Sequence, residues 1–130
     1  MGDRLFEGLR VIDCASFIAA PIAATVMSDY GADVIKIEPP GVGDPYRNRS
    51  VPNTGYAYPV SPYFEVDSRN KRSLALNLAS EEGRNVLRRL VVDADVFITN
   101  FPPPVRRKLG VTYEAFQHLN PRLIYASFSG

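Results

Sequence analysis

The feature that most constrains this chain is the alternation of short apolar runs with segments of helical spacing. Runs rich in β-branched and other apolar residues predict strands at residues 9–14, 33–38, 73–78, 95–99 and 123–128. Good helix formers at residues 21–30 end at Gly31, and a second helix is expected to start after Ser80. This order predicts an α/β fold with a mostly parallel sheet that is covered by helices on both faces.

The rest of the chain adds one long loop and one short helix. Residues 39–62 are rich in Gly, Pro, Asn and Ser and are predicted to be irregular. Because Tyr46, Tyr56, Tyr58 and Tyr63 lie in or beside this segment, we expect it to follow a ligand-facing edge or a subunit contact. A short helix is expected at residues 112–119. No repeat or domain boundary is visible, so residues 1–130 are interpreted as one segment.

Composition excludes several classes of protein. A net charge of +1 gives no overall attraction to nucleic acid or to a membrane, and no apolar run reaches the length of a membrane span. The single cysteine, Cys14, cannot form an internal disulfide and fits a reducing compartment. The first ten residues do not resemble a signal peptide. We therefore expect a cytoplasmic protein that binds neither nucleic acid nor membrane.

Two segments bear on the possibility of a nucleotide site. The predicted turn after the first strand, residues 14–21, contains no glycine, which disfavours an NAD site of the G-x-G-x-x-G type. The Gly41-Val42-Gly43-Asp44 segment follows a strand but continues into proline and arginine rather than into a helix. Turn formation is the simpler interpretation of those glycines.

Two clusters of cations are candidates for anion binding. Arg69, Lys71 and Arg72, here called the first basic segment, precede a predicted strand. Arg106, Arg107 and Lys108, the second basic segment, follow three prolines that suit a helix start, whose free amides favour anions. Each cluster has two interpretations, a phosphate clamp or a solvated surface run.

No residue in the chain is a clear candidate for catalysis. The one histidine, His118, has no Cys or Asp at metal-ligand spacing and is interpreted as a surface residue. Cys14 lies in a predicted core strand and is interpreted as a small apolar group. The residues alone therefore predict an α/β domain with two candidate anion clusters.

Several segments together resemble the family III CoA-transferases, which include formyl-CoA and carnitine-CoA transferases and α-methylacyl-CoA racemases. The matching residues are 9–13 (LRVID), Pro21, 29–40 (DYGADVIKIEPP), Gly43-Asp44, 69–74 (RNKRSL), 94–96 (ADV), Asn100-Phe101, Leu109-Gly110 and 120–126 (NPRLIYA). Their order and spacing extend over nearly the whole chain.

The resemblance implies an enzyme that moves coenzyme A between carboxylic acids. An aspartate attacks the acyl-CoA thioester, giving a mixed anhydride and then an enzyme–CoA thioester. Such enzymes are interlocked homodimers with a large Rossmann-like domain and a smaller one, and their substrates are an acyl-CoA and a small carboxylic acid, with no metal. This chain would be the N-terminal part of the large domain. Because the nucleophile would lie beyond Gly130, we assign no catalytic residue and expect the chain alone to be inactive.

The resemblance also implies a set of CoA contacts. Carried over by motif, these are Ser16, Phe17, Ile18, Lys71, Arg72, Asn100, Phe101, Lys108 and Leu109. Three departures from the family pattern bear on them: Pro39 replaces an Arg of the formyl-CoA transferases, three prolines follow Phe101, and Lys108 stands where an Arg is common. Each changes a detail of the contacts and none changes the family.

Two alternatives stay open from the sequence. An acyl-CoA racemase of the same superfamily would use a His/Asp pair that also lies beyond Gly130. A non-catalytic fragment would only bind a nucleotide or pair with a partner chain.

Overall fold

The five strands form one parallel sheet, which confirms the predicted α/β fold. The computed structural model describes residues 4–49 and 61–129. The strand order is β3-β2-β1-β4-β5, and each of the four neighbouring pairs is parallel. The strands are β1 (Arg10–Asp13), β2 (Asp33–Glu38), β3 (Arg72–Ala75), β4 (Val96–Thr99) and β5 (Ile124–Ser127).

Five helices connect or follow these strands. They are α1 (Ala19–Asp29), α2 (Pro62–Asp67), α3 (Glu81–Val92), α4 (Pro103–Leu109) and α5 (Tyr113–Phe116). The predicted start of α3 is confirmed, because the Ser80 hydroxyl accepts a hydrogen bond from the Gly83 amide at 3.1 Å. Helix α5 is one turn long rather than reaching residue 119.

The long segment between β2 and β3 is partly ordered. Residues 45–48 form a 3₁₀ turn, and α2 was not predicted, because its six residues are too few to show an apolar period. Residues 50–60 of the predicted irregular region, with Tyr56 and Tyr58, lie outside the described residues.

Each face of the sheet carries its own apolar core. On one face, Leu87 and Val91 of α3 and Phe116 of α5 form a buried cluster with strand residues that include Ile12 and Phe97. On the other face, Ala20 and Ala24 of α1 form a second buried cluster with strand residues that include Val11, Val34 and Ile98. Within the described ranges no helix is long and apolar enough to cross a bilayer. The site therefore rests on the three central strands β1, β2 and β4, which are mostly buried, while the edge strands β3 and β5 are more exposed.

Candidate functional site

The strand order reverses between β1 and β4. The chain runs from β1 through β2 to β3 on one side, then returns to place β4 and β5 on the other side. In open parallel sheets, ligands bind beyond the carboxyl ends of the strands at such a reversal. We call that side of the sheet the carboxyl edge.

Two predicted CoA contacts meet at this reversal. The Ser16 amide donates to Oδ1 of Asn100 at 2.9 Å, and Nδ2 of Asn100 donates to the Ser16 carbonyl at 2.7 Å. These two residues follow β1 and β4, so the pair of hydrogen bonds joins the loops that leave the neighbouring strands. The reciprocal geometry also fixes the orientation of the Asn100 amide.

The next residue in the first loop has an uncommon backbone conformation. Phe17 has φ of +66°, in the left-handed region that non-glycine residues seldom adopt. Its side chain and that of Ile18 are 50% and 40% exposed. The Phe17 amide donates to Oδ1 of Asp44 at 3.2 Å. The turn is therefore held by hydrogen bonds to two side chains, Asp44 and Asn100.

A mostly apolar groove of about 340 Å³ opens beside this turn. Its lining comes from loops that follow four strands, with Ser16 after β1, Pro39 after β2, Leu76 after β3 and Phe101 after β4. Leu109 of α4 closes one side. Three of the predicted contacts, Ser16, Phe101 and Leu109, are thus brought together at the carboxyl edge.

Cys14 also borders the groove, but its surroundings disfavour the thiolate form. The side chain is buried, and burial, together with the neighbouring Asp13 charge, raises the pKa of the thiol to about 12. A thiol with so high a pKa is protonated at neutral pH and is a poor nucleophile. This agrees with its interpretation as a small apolar residue.

The first basic segment does not form a single anion clamp. Each of its cations pairs with a different aspartate: Arg69 with Asp29, Lys71 with Asp13 and Arg72 with Asp33. The three aspartates come from α1, β1 and β2, and the three cations accordingly diverge. Neither Lys71 nor Arg72 lines the groove.

Lys71 is buried beneath the α1 face of the sheet. Its side chain is 2% exposed, and its ammonium lies 2.8 Å from Asp13 Oδ2 and 2.7 Å from the Pro21 carbonyl. Burial lowers the pKa of Lys71, while the Asp13 charge opposes that shift. The ammonium is therefore an internal partner of Asp13, and its contact with CoA stays a prediction.

A second buried lysine joins the same group of charges. Lys36 Nζ lies 2.8 Å from Asp44 Oδ2, 3.7 Å from Asp13 Oδ2 and 3.0 Å from the Ala15 carbonyl. Two lysines and two aspartates balance in charge, which permits their burial. Oδ1 of Asp13 has no hydrogen-bond partner within the described part of the chain.

Glu38, at the end of β2, anchors the loop that follows. Its carboxylate accepts two hydrogen bonds of 2.6 Å from Arg47, one of 2.9 Å from the Asp44 amide and one of 2.8 Å from the Ser73 hydroxyl. Burial alone would raise the pKa of Glu38, but these donors lower it to about 2.

The sequence reasoning missed these buried charges. Lys36 and Glu38 lie inside a strand that was treated as apolar, and both are almost fully buried. The available signal was a charge at alternate positions of a strand predicted to be covered on both faces. A charge at such a position needs an internal partner.

The second basic segment occupies the last turn of α4. No acidic group lies within salt-bridge distance of Arg106, Arg107 or Lys108 among residues 4–49 and 61–129, and the buried Nε of Arg106 has no acceptor there. The sequence placed these cations beside the free amides at the start of a helix, where both would attract an anion, and this placement is wrong. They lie at the carbonyl end, which favours positive charge.

The described ranges contain no group of three or more His, Cys, Asp or Glu side chains arranged to hold a metal ion. The arrangement at the carboxyl edge is a mostly apolar groove. A bridged turn lies beside it, and a run of cations without a salt bridge among the described residues follows the wall residue Phe101 along the chain.

Comparison with known proteins gives a consistent result. Residues 6–130 match the model of CoA-transferase family III. The chain is 44% identical over 125 residues to the acetyl-CoA:oxalate CoA-transferase of Acetobacter aceti. This alignment covers 96% of this chain and 31% of that protein. It is 38% identical over 126 residues to a formyl-CoA:oxalate CoA-transferase of Escherichia coli, covering 95% of this chain and 29% of the relative.

A solved structure agrees with these sequence matches. A CAIB/BAIF family protein from Brucella suis superposes with a TM-score of 0.88 at 38% identity, over 99% of this chain and 34% of that one. The chain thus spans about 30% of the length of the curated relatives it matches. It corresponds to their N-terminal portion.

Proposed function

This chain belongs to CoA-transferase family III, and we propose that it supplies part of the coenzyme A site of an enzyme that moves CoA between carboxylic acids. In this proposal residues 1–130 are the N-terminal segment of the large domain. The complete protein would act as a homodimer in the cytoplasm, without a metal, on an acyl-CoA and a small carboxylic acid.

The observation that carries the proposal is the bridged turn beside the apolar groove. Ser16 and Asn100 join the loops after β1 and β4 at the point where ligands bind in parallel sheets. A preformed, mostly apolar cleft with a few fixed polar groups is the usual form of a cofactor site. A groove of about 340 Å³ accommodates part of a CoA molecule, and the remainder would extend along the edge.

The proposed contacts divide into two groups by their position. Ser16, Phe101 and Leu109 line the groove, while Asn100 holds the turn that also carries Phe17 and Ile18. Lys108, without an acidic partner in the described ranges, is available to the phosphates of CoA as a charge-assisted donor.

The first basic segment has a weaker part in this proposal. Arg72 would have to leave Asp33 to reach a phosphate, and Lys71 would have to leave Asp13 and the Pro21 carbonyl. Contacts from these two residues, which the family resemblance implies, are kept as proposals that mutation will test. Their position favours a supporting role.

The chemistry itself would come from residues outside this chain. An aspartate carboxylate attacks the thioester carbonyl, the C–S bond breaks, and CoA leaves as its thiolate while an acyl–aspartyl anhydride forms. The thiolate then attacks the aspartyl carbonyl, which releases the acyl group as a carboxylate and leaves an enzyme–CoA thioester. The acceptor acid reverses the two steps. The part of this chain would be to hold CoA in place.

The proposal is tested by calorimetric titration of the full-length protein with CoA, with NAD as the control ligand. We expect binding of CoA and none of NAD. Full-length protein incubated with an acyl-CoA should give an enzyme–CoA thioester that hydroxylamine cleaves, whereas residues 1–130 alone should give none. A hydroxylamine-sensitive adduct on any aspartate of residues 1–130 would contradict the placement of the nucleophile outside this chain.

A further inference from the structure

The Gly43-Asp44 pair has a structural role that its sequence does not reveal. Gly43 has φ of +66°, and a Cβ at this position would lie 2.8 Å from Cδ of Arg47 and 3.1 Å from Oε2 of Glu38. Glycine adopts this backbone conformation without strain, and any larger residue here would also displace the Arg47 side chain. The fold of the loop carries Asp44 back under the end of β2, where its amide donates to Glu38 at 2.9 Å.

Asp44 joins three segments through one buried carboxylate. Oδ1 accepts hydrogen bonds from the Phe17 amide at 3.2 Å and from the Tyr46 amide at 2.9 Å, and Oδ2 lies 2.8 Å from Nζ of Lys36. The residue is 2% exposed. The turn after β1, the 3₁₀ turn at residues 45–48 and strand β2 are thus held to one another.

We propose that Asp44 is a positioning residue for coenzyme A. It acts by accepting the Phe17 amide and so keeping the Ser16–Phe17 turn in its bound form before CoA arrives. Phe17 is in a left-handed conformation that a non-glycine residue keeps only when its surroundings require it. This inference rests on the proposed function, because it assigns Asp44 a role at the same site.

The consequence for affinity follows from a population argument. Without the carboxylate, Phe17 would relax toward ordinary backbone angles, and only a fraction of molecules would present the turn that Asn100 and Asp44 now hold. The apparent dissociation constant rises in inverse proportion to that fraction. Once CoA is bound the turn is restored, so KM should rise more than kcat falls.

A pair of double variants of the full-length protein isolates the hydrogen-bond acceptor. Lys36→Met with Asp44→Asn removes the ion pair but keeps an oxygen for the Phe17 amide, whereas Lys36→Met with Asp44→Ala removes both. The two proteins lack the same charges and differ in one amide group. We expect the Asn pair to bind CoA within about threefold of wild type and the Ala pair to bind roughly tenfold or more weakly.

Hydrogen exchange shows whether loss of the acceptor loosens the turn alone or the whole domain. The Phe17 amide should lose protection in the Ala pair and keep it in the Asn pair, while amides of β1 stay protected in both. Thr25→Ala serves as the stability control, since its buried hydroxyl joins α1 to the Asp67 carbonyl at 2.5 Å and does not contact the turn. That variant should bind CoA as wild type does.

Each outcome decides between the two ideas. If wild-type protein does not bind CoA, the proposed function is wrong and the role of Asp44 falls with it. If wild type binds CoA and the two double variants bind it equally, the site stands and the positioning role is wrong. Where the Ala pair fails to fold, loss of Phe17 protection in the single variant Asp44→Ala supports the role, and retention of it contradicts the role.

Discussion

The two basic segments look alike in sequence and differ in structure. The first has three cations within four residues and the second has three in a row, and each was a candidate for anion binding. In the first, every cation has its own aspartate, from α1, β1 or β2. In the second, none has an acidic partner among the residues that the structure describes, and Arg106 has a buried Nε without an acceptor.

The difference shows what a run of charge can and cannot indicate. Electrostatic attraction to a ligand depends on the charge that remains after internal pairing, not on the charge written in the sequence. The first segment contributes to folding through Lys71, whose ammonium is enclosed with Asp13. The second has no acidic partner within salt-bridge distance among the described residues, and its two arginines line a separate cavity with Glu114 and Tyr125.

The largest expected effect comes from breaking the enclosed pair. Lys71→Met keeps the stem of the side chain but leaves the Asp13 carboxylate buried without its 2.8 Å partner. Removing one member of a buried pair typically costs about 3–5 kcal/mol of unfolding free energy. Urea denaturation should show this loss, while Arg107→Ala in the second segment should stay within about 0.5 kcal/mol of wild type. Equal urea midpoints for Lys71→Met and wild type would contradict the claim that the first segment, unlike the second, stabilises the fold.

A slightly smaller effect should appear as a difference in acid sensitivity. Arg47 pairs with Glu38 much as Lys71 pairs with Asp13, and the donors around Glu38 lower its pKa from 4.5 to about 2. Because the folded-state pKa is the lower one, its stabilisation is present above pH 4.5 and is lost as pH falls toward 2. A pKa difference of this size corresponds to about 3 kcal/mol.

Unfolding free energies of wild type and Glu38→Gln, measured between pH 7 and pH 3, check this expectation. Wild type should lose more stability than the variant over that range. Arg107 has no acidic partner within salt-bridge distance in the described ranges, so Arg107→Ala should follow the wild-type profile. Parallel profiles for wild type and Glu38→Gln would contradict the assignment of a depressed pKa.

Coenzyme A affinity compares the two segments directly. Lys108→Ala in the full-length protein should weaken CoA binding by about 1–3 kcal/mol, the usual range for losing a charge-assisted contact. Arg72→Ala should weaken it less, since Arg72 must first leave Asp33. Calorimetry on both variants gives the comparison, with Arg88→Ala as a control on α3. A larger loss for Arg72→Ala would restore the first segment as the main phosphate site.

The smallest expected effect is on stability at the exposed end of the first segment. The Arg72 and Asp33 side chains are 64% and 49% exposed, so their ion pair is screened by water. Such pairs contribute about 0–1 kcal/mol, and Arg72→Ala should change the unfolding free energy by no more than this. The difference should shrink further in 1 M salt. If Arg72→Ala lowered the unfolding free energy as much as Lys71→Met does, the greater exposure of the Arg72 ion pair would not explain its expected small contribution.

The same contrast describes how far the sequence predicted the site. Ser16, Phe101 and Leu109 were selected by resemblance, and the structure brings them to one groove. The residues that support them were not predicted, because Asp44 acts through the backbone of a residue that is 27 positions away. Hydrogen bonds between distant segments leave no local pattern in a sequence. The role of each selected residue in binding CoA stays a prediction.

The sequence by itself determined the fold class and the family. Apolar runs marked the five strands, and helix formers with their start and stop signals marked the two longer helices. Short elements such as α2 were missed because they contain less than one full apolar repeat.

Only the tertiary structure decided which charges are enclosed and which are free. Lys71 and Lys108 are both cations in a basic run, but Lys71 reaches Asp13, which lies 58 residues earlier in the chain. Burying a charge is unfavourable unless an opposite charge lies beside it, and the order of the strands determines which residue that is. That order, with β1 between β2 and β4, also brings Ser16 and Asn100 together, which no local pattern in the sequence determines.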